Sequence, residues 1–483
     1  MPPSPLYRPE TRHENLGEAF FDPVRAAEFP QHILRFRNHR QAARVGLDAL
    51  TDAEWIDHFG RFMPLPGAQR HPLALRYHGH QFQSYNPDLG DGRGFLFAQL
   101  RDAVDGRLLD LGTKGSGQTP WSRRGDGRLT LKGGVREILA TEMLEALGVN
   151  TSKTFSLIET GEALERGDEP SPTRASVLVR LSHSHIRIGT FQRLAYHEDQ
   201  TAIERLLTHA CEHYFPHLCD APTEQRARLF LAEVADRVAQ LGASYMAAGF
   251  VHGVLNSDNI NITGESFDYG PWRFAPVYDP MFTAAYFDAG GLYAFGRQPA
   301  ALAWNLARLA ECLLHLTGQE AAERIIDAFP LTIRSAFRAA LLQRLALESA
   351  GEAADARLAA AVVDFLLKSR TPFEQFFFDW RGGMASAARA QASPAVNDYQ
   401  SEAFAPLRAA LTEHETAVDA WLDHPYFQRT TPCAMLIDEV EALWAPIAEG
   451  DDWAPLMKKI SEIDEMRAAY AGPALEEAAL GTR

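Results

Sequence analysis

The spacing of apolar residues divides the chain into a strand-rich part and a helical part, which meet near Gln192. Short runs of apolar residues in the first part predict strands at 95–100, 107–111, 154–160 and 176–181. Asp105-Gly106 lies between the first two runs, and Gly supplies the positive φ that a tight hairpin turn needs. The first part therefore predicts a small sheet, with Lys114 directly after its second strand.

Three long segments show helical periodicity. The segment 131–147 carries apolar residues four apart and stops at Gly148, and 224–248 repeats apolar residues at three and four and stops at Gly249. The third, 299–316, carries a leucine stripe. Shorter helices are predicted at 38–46 and from the capping box of Thr51 and Glu54 through His58. The remainder, from about 321 onward, predicts helices broken at Pro330, Pro372 and Pro425.

Composition excludes several classes of protein. The 483 residues, 46% of them hydrophobic, can build a large core, and the net charge of −16 argues against a general nucleic-acid-binding surface. The sequence contains no run of about 18 apolar residues, which is the length needed to span a bilayer. Residues 1–5 lack the charged and then apolar layout of a signal peptide. We expect a cytoplasmic protein, monomeric, with neither nucleic-acid nor membrane partners.

The cysteines are too sparse for a disulfide framework, which fits a reducing compartment. Cys211, His213, His217 and Cys219 lie close together, but their spacing matches no structural zinc pattern. A helix with half-buried Cys and His side chains explains them.

The segment 249–270 resembles a protein kinase catalytic loop and its metal-binding motif. His252 stands where that loop has its His, and Asn259 falls seven residues later, where the loop has its metal-binding Asn. Asp268-Tyr269-Gly270 resembles the metal-binding Asp-Phe-Gly. The kinase base, two residues after the His, is replaced by Val254, which leaves Asp258 as the obvious carboxylate.

Lys114 and Glu137 form the second pair of kinase-like positions. A kinase strand lysine is held by a helical carboxylate, which aims the ammonium at phosphate oxygens, and Glu137 lies 23 residues beyond Lys114 in the predicted helix. A surface lysine and a solvated glutamate would explain the pair equally well if it stood alone.

Two loops and two arginines point to an anion site. The loop 89–94 is glycine-rich, and 112–128 contains four cations and five glycines in 17 residues. Arg180 and Arg187 lie in or beside an apolar strand, where a cation needs a negative partner. A triphosphate would serve, and a structural ion pair is the alternative. His183 and His185 are either metal ligands or ordinary hydrogen-bonded histidines.

Five motifs occur in order along the chain. They are Tyr77-His78-Gly79-His80-Gln81-Phe82, Leu89-Gly90-Asp91-Gly92-Arg93, Lys114-Gly115-Ser116-Gly117-Gln118-Thr119-Pro120, Ser182-His183-Ser184-His185-Ile186-Arg187 and His252-Gly253-Val254-Leu255-Asn256-Ser257-Asp258-Asn259. With them the chain resembles the selenoprotein O family of kinase-like proteins, strongly from about 70 to 310 and loosely at both ends. The resemblance implies an α+β, protein-kinase-like two-lobed fold. Its regions are an N-terminal extension at 1–60, a nucleotide-binding small lobe at 61–192, a large lobe with the catalytic and metal loops at 193–330, and a helical C-terminal region at 331–483.

The same resemblance implies transfer of AMP from ATP to Ser, Thr or Tyr hydroxyls of proteins, with release of pyrophosphate. Asp258 would accept the proton, Asn259 and Asp268 would hold Mg²⁺ or Mn²⁺, and Glu137 would position Lys114. The ATP-binding residues would be Gly90, Gly92, Arg93, Lys114, Asp126, Gly127, Arg180, Arg187 and Asp268. Many members carry selenocysteine or cysteine near the C-terminus, whereas this sequence reads Ala479-Leu480-Gly481-Thr482-Arg483 there and its last cysteine is Cys433, so the resemblance does not extend to redox control relayed through a C-terminal cysteine.

Three alternatives stay open. The transferred group could be UMP, with a preference for Mn²⁺, or the terminal phosphate, with Asp258 as the base. Val254 at the usual base position is also compatible with a non-catalytic nucleotide-binding scaffold. The presence of Lys114, Glu137, Asn259 and Asp268 argues against the scaffold, which need not keep metal and phosphate ligands.

Overall fold

The computed structural model describes residues 4–167 and 169–472. The fold is mixed α+β, with strands concentrated before Ser182 and helices dominating the rest of the described chain, including its C-terminal region. Within the described ranges, no helix combines the length and the apolar character needed to cross a membrane. The C-terminal segment 479–483 lies outside the described residues.

Nine of the strands form one sheet in which every pairing is antiparallel. The strands are β1 (Pro9–Glu10), β2 (Phe21–Pro23), β3 (Ile33–Arg37), β4 (Leu73–Leu75), β5 (Gly79–Gln81), β6 (Ser84–Asn86), β7 (Leu96–Arg101), β8 (Leu108–Lys114), β9 (Leu129–Thr130), β10 (Lys153–Leu164), β11 (Thr173–Ser182), β12 (Phe250–His252) and β13 (Trp272–Phe274). The sheet has the order β2-β4-β7-β8-β11-β10-β3, with β1 beside β7 and β9 beside β11. β5 pairs with β6, and β12 with β13, as separate hairpins.

The four predicted strands are confirmed as β7, β8, β10 and β11, and Gly106 takes the positive φ expected of the turn between β7 and β8. One detail differs: Lys114 is the last residue of β8 and does not follow it, because its backbone pairs with Leu178 of β11. The first 60 residues also contribute strands to the sheet, since β1, β2 and β3 pair with β7, β4 and β10.

Fifteen helices are formed by the described residues. They are α1 (His39–Arg44), α2 (Asp52–Phe59), α3 (Leu131–Ala146), α4 (Ile188–Tyr196), α5 (Gln200–Tyr214), α6 (Thr223–Ala248), α7 (Gln298–Thr317), α8 (Gln319–Leu345), α9 (Glu352–Ser369), α10 (Phe373–Trp380), α11 (Ala387–Gln391), α12 (Val396–Gln400), α13 (Ala405–Thr412), α14 (Ile437–Gly450) and α15 (Ala454–Ala471). The predicted helices are confirmed as α1, α2, α3, α6 and α7, and α2 has its capping box.

The predicted break at Pro330 is wrong, because α8 continues through it. A proline removes one backbone hydrogen bond, and here Phe329 and Ile333 are buried on either side of it. The burial of this apolar face keeps the helix continuous through the proline.

Two connections place the loops of interest. α6 ends at Gly249, which has φ of 65°, and the chain turns directly into β12. The loop 253–271 runs between β12 and its partner β13, at the junction of the sheet and the helices. α3 packs against β10 and β11, and α15 packs on α3, where Arg467 pairs with Glu142.

We expect Pro330→Ala to raise the free energy of unfolding by about 1–3 kcal/mol, because it restores a helical hydrogen bond at an exposed position. Urea unfolding followed by circular dichroism measures the change. Leu331→Ala, at the neighbouring exposed side chain, is the control and should change stability by less than about 0.5 kcal/mol. An unchanged or lower urea midpoint for Pro330→Ala would show that Pro330 does not destabilise α8.

Candidate nucleotide site

A cavity of about 610 Å³ opens between the sheet and the 253–271 loop. All of the predicted site residues line it except Glu137 and Asn259. The lining residues are Tyr77, Gln81, Leu89, Gly90, Asp91, Gly92, Arg93, Gly94, Thr113, Lys114, Trp121, Ser122, Arg123, Arg124, Gly125, Asp126, Gly127, Arg128, Arg166, Arg180, Arg187, Asp258 and Asp268.

The cavity is basic although the chain is acidic. Eight of its lining residues are Lys or Arg and four are Asp, so the excess of positive charge is local. The loop 122–128 supplies three of the arginines, as its composition indicates. Arg166 comes from the connection between β10 and β11, where it pairs with Asp126 at 2.8 Å, and no sequence pattern points to it. This concentration of cations suits a polyanionic ligand.

Lys114 lies at the end of β8 between two carboxylates. Glu137 of α3 forms an ion pair with it, and the Asp268 Oδ1 lies 2.9 Å from its Nζ. Glu137 is buried behind the lysine, which explains why it touches Lys114 without lining the cavity. The predicted pairing of strand lysine and helical glutamate is therefore present in the structure.

Asp268 forms ion pairs with two cations of the site, Lys114 and Arg180. Its backbone has φ of 64°, a left-handed conformation that is unusual for a residue other than Gly and is typical of functional sites. Arg180 Nη1 donates to the same Oδ1 at 3.4 Å. Burial favours the protonated acid, but Lys114, Arg180 and Arg187 outweigh it and hold the pKa of Asp268 well below its usual range. Asp268 is therefore ionised at neutral pH.

Arg180 is oriented by a buried chain of hydrogen bonds. Its Nε donates to His185 Nε2 at 3.2 Å, and His185 Nδ1 lies 3.3 Å from the Asp110 carboxylate. Gln99 donates to the other oxygen of Asp110 at 2.8 Å. Burial lowers the pKa of His185, so the neutral ring accepts from Arg180 and donates to Asp110. His185 is thus an ordinary hydrogen-bonded histidine, one of the two interpretations of the sequence.

Arg187 is almost fully buried above the 253–271 loop. Its Nη1 donates to the backbone oxygen of Asp258 at 3.2 Å, and its guanidinium lies 4.0 Å from the ring centre of Tyr77. Nη2 is 3.6 Å from Asp91 but has no hydrogen-bond partner in the part of the chain that the structure describes. A buried, unsatisfied guanidinium nitrogen beside the cavity is suited to an anionic ligand oxygen.

Asp258 is a buried carboxyl at the edge of the cavity. Its Oδ1 has no hydrogen-bond partner among the described residues, and burial raises the pKa of the side chain to about 7, against the opposing charge of Arg187. Gly79 packs closely on it, since a Cβ at position 79 would lie 2.9 Å from the Asp258 Cβ. A buried carboxyl with this pKa can exchange a proton near neutrality.

Asn259 lies beside the cavity without lining it. Its Nδ2 donates to the Val254 oxygen at 2.9 Å, which leaves the side-chain oxygen as the atom available for a ligand. Oxygen donors from Asn259 and Asp268 have the chemistry that Mg²⁺ prefers. Among the described residues no three His, Cys, Asp or Glu side chains converge to hold a metal. The four residues of the zinc alternative therefore do not form such a group, and His217 contacts Glu233 instead.

Close contacts between the loops 89–94 and 112–128 leave no room for side chains at several of their glycines. A Cβ at Gly90 would lie 2.4 Å from the Trp121 ring, and one at Gly92 would lie 2.8 Å from the Trp121 oxygen. Gly127 has φ of 71° and packs against Gly117. These glycines therefore allow the loop 119–128 to lie against 90–92 at one wall of the cavity.

Comparison with known proteins identifies the family. The model of the family "Protein adenylyltransferase SelO" matches residues 6–464. The chain belongs to the SelO family. Its relatives include a "Protein nucleotidyltransferase YdiU" from Synechocystis, 44% identical over 93% of this chain and 96% of the relative. A relative with the same name from Trichormus variabilis is 42% identical over 95% of this chain and 97% of the relative. SelO membership makes the chain an enzyme of the nucleotidyltransferase class.

We expect the stability of the protein relative to an Asp258→Asn variant to fall as the pH rises from about 4 to about 7, in metal-free buffer without nucleotide. The unfolded carboxyl ionises near its ordinary pKa, whereas the folded one keeps its proton until about pH 7. The folded state therefore binds more protons in this window and is destabilised by deprotonation, by a few kcal/mol in order of magnitude.

Urea unfolding of both proteins at a series of pH values measures this difference. Asp126→Asn is the contrasting control, because Arg166 and Arg128 lower the pKa of Asp126 against the effect of burial. The ionised Asp126 should therefore stabilise the folded state at neutral pH, and this contribution should disappear as the pH falls, which is the opposite of the trend expected for Asp258. Parallel pH profiles for the wild type and Asp258→Asn would show that Asp258 is not protonated as described.

Proposed function

We propose that this chain transfers AMP from ATP to Ser, Thr or Tyr hydroxyls of proteins and releases pyrophosphate. The observation that carries the proposal is the basic cavity that is lined by an ion-paired lysine, two buried arginines and the buried carboxyl of Asp258. The SelO family match supports AMP as the transferred group.

The proposal includes a protein-kinase-like arrangement of the fold. The sheet part, 61–192, corresponds to the small lobe and 193–330 to the large lobe, with 1–60 as an extension and 331–483 as the helical C-terminal region. Support comes from Lys114 on a strand, Glu137 on α3 and Asp268 after the β12 hairpin strand, which meet at one point as the kinase template requires.

The reacting hydroxyl gives its proton to Asp258 while its oxygen attacks the α-phosphorus of ATP. A new oxygen–phosphorus bond forms, the bond from the α-phosphorus to the bridging oxygen breaks, and pyrophosphate leaves with that electron pair. Lys114, Arg180 and Arg187 contribute fixed positive charge that stabilises the negative charge on the phosphate oxygens. Arg93, Asp126 and the loop glycines help to enclose the nucleotide.

The oxygens of Asn259 and Asp268 are the proposed ligands of Mg²⁺ or Mn²⁺. When bound, the ion would neutralise phosphate charge at the transferred group. Asp268 already faces Lys114 and Arg180, so it can hold the ion while these cations turn to phosphate oxygens. This division leaves Asp258, whose Oδ1 has no partner, as the base.

We expect purified protein incubated with ATP and Mg²⁺ to transfer AMP to itself or to added proteins, and Lys114→Ala to lower the rate by about 10²–10³-fold. The reason is the loss of the cation nearest to Asp268. Intact-protein mass spectrometry and α-labelled ATP measure the transfer. Lys132→Ala is the matched control, because Lys132 pairs with Glu441 away from the cavity and its loss should leave the rate unchanged.

Each alternative gives a different result in this experiment. A phosphate-sized gain from γ-labelled ATP would indicate a kinase, and faster labelling by UTP with Mn²⁺ would indicate a uridylyltransferase. Nucleotide binding without any transfer would indicate a scaffold. Wild-type transfer by Lys114→Ala would contradict the assignment of the site.

A further inference from the structure

Three aromatic side chains are exposed together next to Gln81, which lines the cavity. Phe82 is 38% exposed, Tyr286 86% and Phe287 50%. The rings of Phe82 and Phe287 lie 5.8 Å apart, and those of Tyr286 and Phe287 lie 5.1 Å apart. We call these three residues the aromatic patch. Contiguous exposed apolar surface of this kind marks an interaction site.

The aromatic patch is fixed to the loop that carries Asp258. Asn256, two residues before Asp258, accepts a hydrogen bond from the Phe82 backbone at 3.1 Å and another from the Tyr293 hydroxyl at 2.6 Å. Tyr293 also packs on Phe82, with ring centres 5.0 Å apart. One amide oxygen therefore joins the 253–271 loop, the β5–β6 turn and the segment that carries Tyr286 and Phe287.

The backbone at Phe82 has an unfavourable conformation. Phe82 and Gln83 form the two-residue turn between β5 and β6, with φ of 50° and 62°. Such a turn favours Asn-Gly, because side chains larger than Asn are strained at positive φ. A strained turn that presents an aromatic ring to solvent next to a reactive site is the pattern expected of a binding residue.

We propose that the aromatic patch binds the acceptor protein, through a large apolar side chain about three residues from the hydroxyl that receives the nucleotide. Gly79 packs against Asp258. Phe82 lies three residues after Gly79, and at the rise of a β-strand this separates the two residues by about 10 Å. An extended acceptor segment covers the same distance in three residues. This inference rests on the proposed function, and it names the acceptor as an extended segment with an apolar neighbour.

Phe82→Asn tests the proposal without endangering the fold, because Asn tolerates positive φ better than Phe. The acceptors are peptides with one serine, randomised at the surrounding positions, and unfolded casein. With α-labelled ATP, we expect the wild type to prefer Leu, Met or Phe about three positions from the serine. Phe82→Asn and Phe287→Ser should lower kcat/KM for apolar acceptors about tenfold and leave polar acceptors and the Kd for ATP unchanged.

Val418→Ser, at a side chain that is 97% exposed elsewhere, is the matched control and should behave as the wild type. Equal labelling of apolar and polar acceptors, or unchanged preference in both patch variants, would overturn the proposal. So would a wild-type dimer that Phe287→Ser converts to a monomer with unaltered acceptor preference, because the patch would then bind a second copy. Absence of AMP transfer to every acceptor by the wild type would instead refute the proposed function.

Discussion

The carboxylate of Asp268 is the interaction on which the site depends. It meets Lys114 from β8 and Arg180 from β11, so one oxygen joins two strands of the sheet to the loop that follows β12. Glu137 provides a second carboxylate behind Lys114. Charges at this depth are costly unless paired, and each lost partner would leave another ion uncompensated. The position of the loop against the sheet is therefore set by charge as much as by apolar packing.

The same cluster is incomplete in a way that suits a ligand. Among the described residues, Arg187 Nη2 and Asp258 Oδ1 are buried and have no hydrogen-bond partner. Both residues line the same cavity, where a ligand could supply the missing partners. Asp91, which lies near Arg187, is a second carboxyl of the cavity, after Asp258, whose pKa is raised by burial.

The sequence predicts the parts of this structure that carry a local signal. Helices such as α3 and α6 have long apolar repeats, and Lys114, Glu137 and Asp268 stand at recognisable spacings. Arg166 was not predicted as a site residue, because it reaches the cavity beside Asp126 through tertiary contacts that no local pattern encodes. Tyr77 stands in the first of the five motifs, but no role in the site was predicted for it. The strands β1 and β2 are too short for periodicity, and their pairing is decided by distant partners. Gly90 and Gly92 line the cavity, and their contact with Trp121 is visible only in three dimensions.

The order of strands in the sheet has a consequence for biosynthesis. Both ends of the order β2-β4-β7-β8-β11-β10-β3 are strands from the beginning of the chain, whereas their inner neighbours are made later. Among the described residues β3 pairs with β10 alone, and β10 lies more than a hundred residues downstream, so the edges of β3 remain unpaired on the ribosome until β10 has been made. Unpaired strand edges are prone to association, and synthesis of β10 covers one edge of β3 while the other stays at the rim of the sheet. The nascent chain therefore exposes the inner edge of β3 until β10 has emerged from the ribosome.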